Sequence, residues 1–300
     1  MLARLQRGFG VLALFGAAAW AAWCLSKDHG AWAWAGLPLL FAGYAAVLAV
    51  EFLLMRAVNQ RHGVAVRWAE LLRAWWGEVL CGPRVFGWRQ PWRSERFADR
   101  LGGRSEAAPS RRGVVLIHGF FCNRGLWNRW LEALAADGVP CIAVNLEPVF
   151  GSIDDYVPVI DAAVQRLQHA TGLAPVLVGH SMGGLALRRW RLAPGNAARV
   201  HHAITLGTPH QGTWLARFAL SHNARQMRQA SRWLQQLAAA EAALPPLSAT
   251  CFYTACDNIV FPLATATLAS AHNVRLDAVA HVDLVHRPEP LAELRRVLGT

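Results

Sequence analysis

The sequence predicts an α/β domain with a mostly parallel sheet and helices on both faces, preceded by two transmembrane helices. Two uncharged apolar runs, residues 8–26 and 30–50, open the 300-residue chain. From residue 113 onward, short runs rich in β-branched residues and leucine alternate with helix-like stretches. Such alternation is typical of a parallel sheet that helices cover on both faces.

The two apolar runs predict a membrane hairpin over residues 1–55. Each run is about long enough for a helix to cross ~30 Å of hydrocarbon. The polar break 27–29 predicts a tight turn at the far membrane face, and tryptophans, which favour the interface, cluster around it. A signal peptide is the alternative, but no persuasive cleavage site follows the first run and the second run would stay unexplained. These tryptophans are Trp20, Trp23, Trp32 and Trp34.

Arginine placement predicts the orientation of this hairpin. Arginines precede the first run and follow the second, whereas the connecting turn carries Lys27 against Asp28. The positive-inside rule then places both termini, and the rest of the chain, on the cytoplasmic side of a bacterial inner membrane. The flanking arginines are Arg4, Arg7, Arg56, Arg61 and Arg67.

The charge distribution predicts membrane lipids as partners and argues against nucleic acid. The formal net charge is +11, and residues 56–112 hold twelve arginines against five acidic residues. This basic stretch follows the apolar runs, where anionic lipid head groups lie. Nucleic acid is the rival partner, but no nucleic-acid-binding motif accompanies the charge. Nothing in the sequence indicates the oligomeric state.

Residues 56–112 predict an amphipathic helix followed by a linker. Within 64–80, tryptophan, leucine and valine recur at helical spacing. We expect this helix either to lie in the bilayer surface or to pack on the catalytic domain. Residues 81–111 show no periodicity and predict a linker or a pair of short edge strands. The polar face of the helix is expected to hold Arg67, Glu70, Arg73 and Glu78.

The catalytic domain is expected over residues 113–300. A polar insertion at 214–243 predicts helices that either form a mobile cover over the active site or pack without moving. We expect its apolar contacts from Phe218, Met227, Trp233, Leu234 and Leu237. The predicted strands are 114–117, 141–145, 176–178, 200–206, 250–254 and 274–276, and the other predicted helices are 126–136, 154–169, 182–192 and 291–297.

A Gly-x-Ser-x-Gly pentapeptide, residues 179–183, predicts the nucleophile. It stands between an apolar strand and a helical pattern, so Ser181 must occupy a sharp, strained turn. Only glycine leaves room at the flanking positions, which explains Gly179 and Gly183. The N–H of Met182, at the start of the helix, then points at the substrate oxyanion.

A serine hydroxyl needs a base, and the base needs an orienting acid. In this strand order both follow the serine in the sequence. Asp257 comes just past the end of strand 250–254, where catalytic side chains of parallel sheets gather. His281 follows the last strand and is the predicted base, with His286 as its rival. The remaining acids of this region, Asp277 and Asp283, lie too close to the histidines for that layout.

The loop after the first core strand predicts the second oxyanion donor. His118 and Gly119 lead to Phe120, whose N–H we expect to face the oxyanion. Cys122 follows on the same loop and is expected to be a packing residue. The six cysteines form no CxxC pair and show no metal-ligand spacing, so we expect no metal site. Cys251 and Cys256 could pair only in an oxidising compartment, which the predicted topology disfavours.

Together these motifs resemble the bacterial lipase and esterase branch of the α/β-hydrolase superfamily. The resemblance covers residues 114–298 and implies the α/β-hydrolase fold, with an oxyanion N–H at Phe120, the nucleophile at Ser181, the acid at Asp257 and the base at His281. Alanine replaces the glycine usual before that histidine. The motifs are VVLIHGF (114–120), VGHSMGG (178–184), LGTPHQGT (206–213), CDNIVFP (256–262) and AHVDL (280–284).

The predicted function is hydrolysis of carboxylic esters by a membrane-anchored serine hydrolase, through an acyl-enzyme and without a cofactor. Esters with an apolar acyl part, including membrane lipids, are the expected substrates. An acyl thioesterase with the same triad is the alternative activity. A catalytically silent membrane scaffold is the alternative of a different class.

Overall fold

The computed structural model of the protein describes residues 1–102 and 111–300. Its first two helices are α1 (Leu2–Ser26) and α2 (Gly36–Arg61), joined by a 3-10 turn over Gly30–Ala35. Both helices extend beyond the apolar runs that predict them, α1 toward the N-terminus and α2 toward the C-terminus. By length and composition, α1 and the segment 30–61 could each cross a membrane.

The next segment is helical where the sequence predicts a linker or edge strands. Helix α3 (Trp68–Gly82) continues into a π-helical turn, Pro83–Arg89, and the short α4 (Gln90–Trp92). The linker prediction is therefore wrong for residues 83–92. Their side chains lack periodicity, but Val85 and Gln90 are fully buried, so packing against the sheet domain fixes this helix instead. Residues 103–110 of the predicted linker lie outside the described residues.

Six parallel strands form one sheet in the order β2-β1-β3-β4-β5-β6. The side chains of β1 alternate between two apolar clusters, Val114 and Leu116 on one face and Val115 and Ile117 on the other. A sheet buried on both faces in this way confirms the predicted fold class. The strands are β1 (Val114–Ile117), β2 (Cys141–Ala143), β3 (Val176–His180), β4 (His202–Leu206), β5 (Ala249–Thr254) and β6 (His272–Leu276).

Helices cover both faces of the sheet. The α5 and α10 side chains join one apolar cluster, and those of α6 and α7 join the other. Because β1 pairs with both β2 and β3, the chain winds outward from β1 in two directions, and the carboxyl ends of β1 and β3 border a topological switch point. The helices are α5 (Asn128–Ala136), α6 (Val157–Thr171), α7 (Met182–Arg191), α8 (His222–Gln226), α9 (Arg232–Glu241) and α10 (Pro288–Leu298).

The insertion at 214–243 is a 3-10 turn, Trp214–Phe218, followed by α8 and α9. Met227, Leu234 and Leu237 are buried as predicted. Phe218 is 65% exposed, and its apolar contact is with the ring of Trp214, whose centroid lies 5.6 Å away. The insertion is tied down by polar contacts: the fully buried Asn223 donates to the carbonyl of Val149 at 2.8 Å.

The N-terminal helices pack directly on the sheet domain. Phe52 and Met55 of α2 share an apolar cluster with Phe261 and Ala280. In the same contact Asn59, only 1% exposed, donates through Nδ2 to the Ala255 carbonyl at 3.0 Å. Its Oδ1 accepts the N–H of Leu263 at 2.9 Å. The buried amide therefore satisfies one donor and one acceptor of the loop after β5.

We expect Asn59→Ala to destabilise the protein by roughly 2 to 4 kcal/mol, because two buried backbone groups lose their partners. Denaturant unfolding in mild detergent measures this loss. Gln60→Ala, which changes the exposed neighbour on the same helix, should unfold like the wild type. Equal stability of the two variants would contradict the contact.

Candidate active site

Ser181 occupies a strained turn between β3 and α7. Its φ is +53° and its ψ is −127°, a backbone conformation that non-glycine residues rarely adopt. The Ser181 N–H donates to the carbonyl of Leu206 at 2.8 Å, which ties the turn to the end of β4. The strained turn thus lies at the carboxyl edge of the sheet.

The glycines that flank the serine lie where no side chain fits. A Cβ on Gly179 would lie 2.6 Å from the Gly184 nitrogen, and one on Gly183 would lie 2.6 Å from the His118 carbonyl oxygen. Both contacts are with backbone, which cannot rotate away as a side chain could. Close approach of β1, β3 and α7 therefore requires glycine at both positions.

Asp257 and His281 meet at the same edge of the sheet. The distance from Asp257 Oδ2 to His281 Nδ1 is 2.9 Å, and both side chains are buried. The other carboxylate oxygen, Oδ1, accepts the N–H groups of Ile259 at 2.9 Å and Val260 at 2.7 Å. The loop backbone thereby fixes the carboxylate, and the carboxylate fixes the ring.

Electrostatics favour a protonated form of this imidazole. Burial is the largest single effect and disfavours the charged ring, but the Asp257 carboxylate acts against it together with Glu78 and Glu51, and the net result is a raised pKa of His281. By contrast, burial holds the pKa of His180 well below its usual range. His281 is thus suited to accept a proton, whereas His180 stays neutral.

Gly207 brings the serine and the Asp257–His281 pair together. It follows Leu206, the acceptor of the Ser181 N–H, and has a φ of +52°. A Cβ here would lie 2.9 Å from Asp257 Oδ2 and 3.1 Å from His281 Nδ1. The ring of His180, next to the serine, lies 4.7 Å from that of His281. Within the described residues the Ser181 hydroxyl makes no hydrogen bond; such bonds are often long before substrate binds.

The alternative base and acids lie elsewhere. His286 is within 3.2 Å of the Arg89 guanidinium, and burial together with that charge lowers its pKa to about 3. Asp277 pairs with Arg275 and is mostly exposed. Asp283 donates its N–H to Glu78 on α3. The structure therefore pairs His281 with Asp257, and that pair includes none of the three alternatives, His286, Asp277 and Asp283.

The loop after β1 passes directly over the serine. A Cβ on Gly119 would lie 2.8 Å from the Ser181 Cβ. His118 holds this loop: its Nε2 accepts the Leu146 N–H at 2.9 Å and its Nδ1 lies 2.9 Å from the Gly119 carbonyl. Burial lowers the pKa of His118 to about 4, so the ring is neutral in these contacts.

Both predicted oxyanion donors lie next to the close contact between Gly119 and Ser181. Phe120 follows Gly119, and Met182 begins α7 directly after the serine. In the part of the chain that the structure describes, the N–H groups of both residues lack a protein acceptor. Cys122 is buried, and burial raises the pKa of its thiol to about 12, which agrees with a packing role.

Three polar residues around the site escape sequence reasoning. Asn258 accepts the His281 N–H at 3.3 Å and donates to Glu51 of α2 at 2.9 Å. Glu78 of α3, which the helical pattern places on a polar face, is instead 4% exposed and contacts the loop that carries His281. The contacts of Glu51 and Glu78 join residues about 200 positions apart, so no local pattern indicates them.

Comparison with known proteins decides the family. Residues 114–297, more than half of the chain, match the alpha/beta hydrolase family. The protein belongs to the alpha/beta hydrolase family. No match to the chain is found among curated proteins.

Solved structures of two lipases share the fold of this alpha/beta hydrolase. The mature Bacillus licheniformis lipase BlEst2 aligns with a TM-score of 0.56 and 17% identity, over 65% of this chain and 96% of the lipase. Aspergillus fumigatus lipase B aligns with a TM-score of 0.57 and 17% identity, over 66% of this chain and 56% of the other. At this identity the likeness concerns the fold alone.

Gly207→Ala should separate the acid from the base, because the added Cβ meets Asp257 and His281. We expect turnover of a short soluble ester to fall roughly 100-fold or more. Gly195→Ala is the matched control, since Gly195 also has a positive φ, +80°, but no atom within 4 Å of its added Cβ. Both variants place an alanine at a positive φ and so bear the same kind of backbone strain, but only Gly207→Ala should lose activity. Equal activity in the two would argue against this geometry.

Proposed function

We propose that this alpha/beta hydrolase is a membrane-anchored serine hydrolase that cleaves carboxylic esters. One observation carries the proposal: a serine on a strained turn at the carboxyl edge of the sheet, beside a buried, hydrogen-bonded Asp257–His281 pair. This arrangement matches the needs of nucleophilic catalysis, in which a base removes the serine proton and an acid orients the base.

In the proposed reaction, Ser181 Oγ attacks the acyl carbonyl carbon while His281 Nε2 takes the hydroxyl proton. Asp257 stabilises the resulting imidazolium, and the N–H groups of Phe120 and Met182 stabilise the tetrahedral oxyanion. Collapse breaks the ester C–O bond, and the alcohol leaves with the proton from His281. Water then attacks the acyl-enzyme, again with His281 as base, which releases the acid and regenerates the serine.

An apolar surface beside the oxyanion loop supports esters with apolar acyl parts. Phe120, Phe121 and Phe150 form an aromatic cluster with ring centroids 6.0 to 6.4 Å apart. Phe150 is 44% exposed, and Leu220 of the insertion is 84% exposed. Exposed apolar side chains of this size favour contact with lipid or an acyl chain. Both structural neighbours described above are named as lipases, in agreement with such substrates.

The N-terminal helices support membrane anchoring. Only 6% of the apolar window in α1 and 11% of that in segment 30–61 is buried, whereas the core helix of a soluble protein would be mostly buried. Two such exposed helices need an apolar solvent on their outer faces. We therefore take both as membrane spans.

Helix α3 packs along α2 in this proposal. The Trp75 indole donates to the Ala45 carbonyl at 3.0 Å and the Tyr44 hydroxyl to the Glu78 carbonyl at 3.2 Å, so α3 touches the second apolar run. One face of α3 packs on the sheet domain. The opposite face exposes an apolar stripe at spacings of four residues, which is suited to contact with lipid. This stripe is Trp68, Leu72, Trp76 and Leu80.

The two helices enter the sheet domain on either side of the site. Near the start of α1, Gln6 lies 3.5 Å from the carbonyl of Phe121, beside the oxyanion loop. In α2, Glu51 accepts from Asn258, beside the acid. The catalytic residues therefore lie next to the points where the spans leave the domain. This placement supports membrane lipids as the source of the ester.

Ser181→Ala should abolish ester hydrolysis, since Ser181 Oγ is the group that forms the acyl-enzyme in this proposal. Hydrolysis of p-nitrophenyl butyrate and covalent labelling by a fluorophosphonate measure turnover and the reactive hydroxyl separately. Wild type should react with both reagents, and the variant should fold normally but react with neither. Turnover that persists in the variant would end the serine-hydrolase proposal.

The arginine bias predicts a cytoplasmic catalytic domain. A reporter that is active only in the cytoplasm, fused after Thr300, should be active, whereas an alkaline phosphatase fusion at the same point should be silent. The reverse pattern would overturn the proposed orientation and would place Cys251 and Cys256 in an oxidising compartment.

A further inference from the structure

Glu78 is a buried carboxyl group on α3 that contacts the loop of the proposed base. Its Oε1 accepts the N–H of Val282 at 3.1 Å, and its Oε2 accepts the N–H of Asp283 at 3.1 Å. These two residues directly follow His281. A single side chain from the N-terminal segment thereby holds two consecutive peptide groups of this loop.

Glu78 makes no direct ion pair with a basic side chain of the described residues. Burial raises the pKa of this carboxyl to about 7, although the nearby His281 and the two N–H donors oppose the rise. A buried carboxylate without an ion pair is costly for a fold. Its position therefore calls for a reason other than stability.

The backbone of His281 is held from both sides by the N-terminal helices. On one side Glu78 accepts from Val282 and Asp283. On the other, the His281 N–H donates to Asn258, whose side chain donates in turn to Glu51 of α2. The hydrogen bond to Asp257 fixes the orientation of the His281 ring, whereas these contacts fix the position of the backbone that carries the ring.

We propose that Glu78 is a positioning residue for the base, which fixes the loop of His281 and places a carboxyl group near its imidazole. The inference rests on the proposed serine-hydrolase function. It makes the N-terminal helical segment a part of the catalytic apparatus as well as an anchor. Because Glu78 acts through His281, it does not itself touch the substrate.

Several titratable groups lie near the Glu78 carboxyl. Tyr44 on α2 donates its hydroxyl to the Glu78 carbonyl, and the thiols of Cys81 on α3 and Cys122 on the oxyanion loop lie near the carboxyl; burial raises the pKa of both thiols, so they add no charge. Asp257 and Asp283 are the acidic neighbours, and His281 is the basic one. Ionised Glu78 favours the protonated form of His281 and so raises the pKa of that ring, as Asp257 does.

The sign of the pH effect follows from this charge. The base must be neutral to accept the serine proton, so kcat/KM rises as His281 loses its proton. Removing the negative charge of Glu78 lowers the pKa of His281. The acidic limb of the kcat/KM profile should then move to lower pH in Glu78→Gln, by less than about one unit, because a Glu78 carboxyl with a pKa of about 7 is only partly ionised over that range.

The experiment compares full-length wild type, Glu78→Gln, Glu78→Asp and Glu70→Gln in detergent micelles, with p-nitrophenyl butyrate as substrate. Glu78→Gln should lower kcat at the alkaline plateau about tenfold, through the misplaced base, with KM nearly unchanged. Glu78→Asp keeps the charge but is one methylene shorter, so its acidic limb should stay in place while kcat falls. Glu70→Gln is the matched control on the same helix, since Glu70 bonds Arg67 at 2.7 Å and should behave like wild type.

Each result decides the inference. An acidic limb of Glu78→Gln that coincides with wild type, or an equal shift in Glu70→Gln, would overturn it. If Glu78→Gln does not fold, wild-type kcat in Glu78→Asp would overturn it instead. Fluorophosphonate labelling separates the two proposals: an unlabelled wild type means that the serine-hydrolase function fails, whereas a labelled wild type with unchanged Glu78 variants means that only the positioning role fails.

Discussion

The hydrogen bond between Asp257 and His281 is the interaction on which the rest of the site depends. It joins the loop after β5 to the loop after β6. The acid is fixed by two N–H groups of its own loop, Ile259 and Val260. Gly207 makes room for the pair beside the serine turn, since any side chain there would enter the 2.9 Å contact between acid and base.

The two loops are also supported from outside the sheet domain. Asn59 of α2 bridges both ends of the acid loop, and Glu51 and Glu78 hold Asn258 and the base loop. All of these partners are side chains from the N-terminal helices. A buried polar group is costly when it lacks a partner, so these contacts couple the position of the helices to the geometry of the proposed triad.

This coupling gives a physical reason for a site next to the proposed membrane surface. The helices that would anchor the chain also complete the loops of the acid and the base. In such an arrangement a lipid ester would meet the nucleophile close to the points where α1 and α2 leave the domain. The exposed apolar stripe of α3 and the exposed Phe150 lie on elements that contact these same helices or the oxyanion loop.

The sequence by itself determined the fold class and indicated which residues to test at the site. Periodicity predicts strands and helices because each element buries a face with its own repeat, and Ser181, Asp257 and His281 stand at strand ends where a parallel sheet collects them. The tertiary structure decided what lies between distant segments: the helix at 83–92, the exposure of Phe218, the contact of Asp257 with His281 while His286 lies against Arg89, and the burial of Glu78. A polar residue on an amphipathic helix looks the same in sequence whether water or a distant loop meets it. Only the packing of α3 on the base loop, some 200 residues away, gives Glu78 its partners.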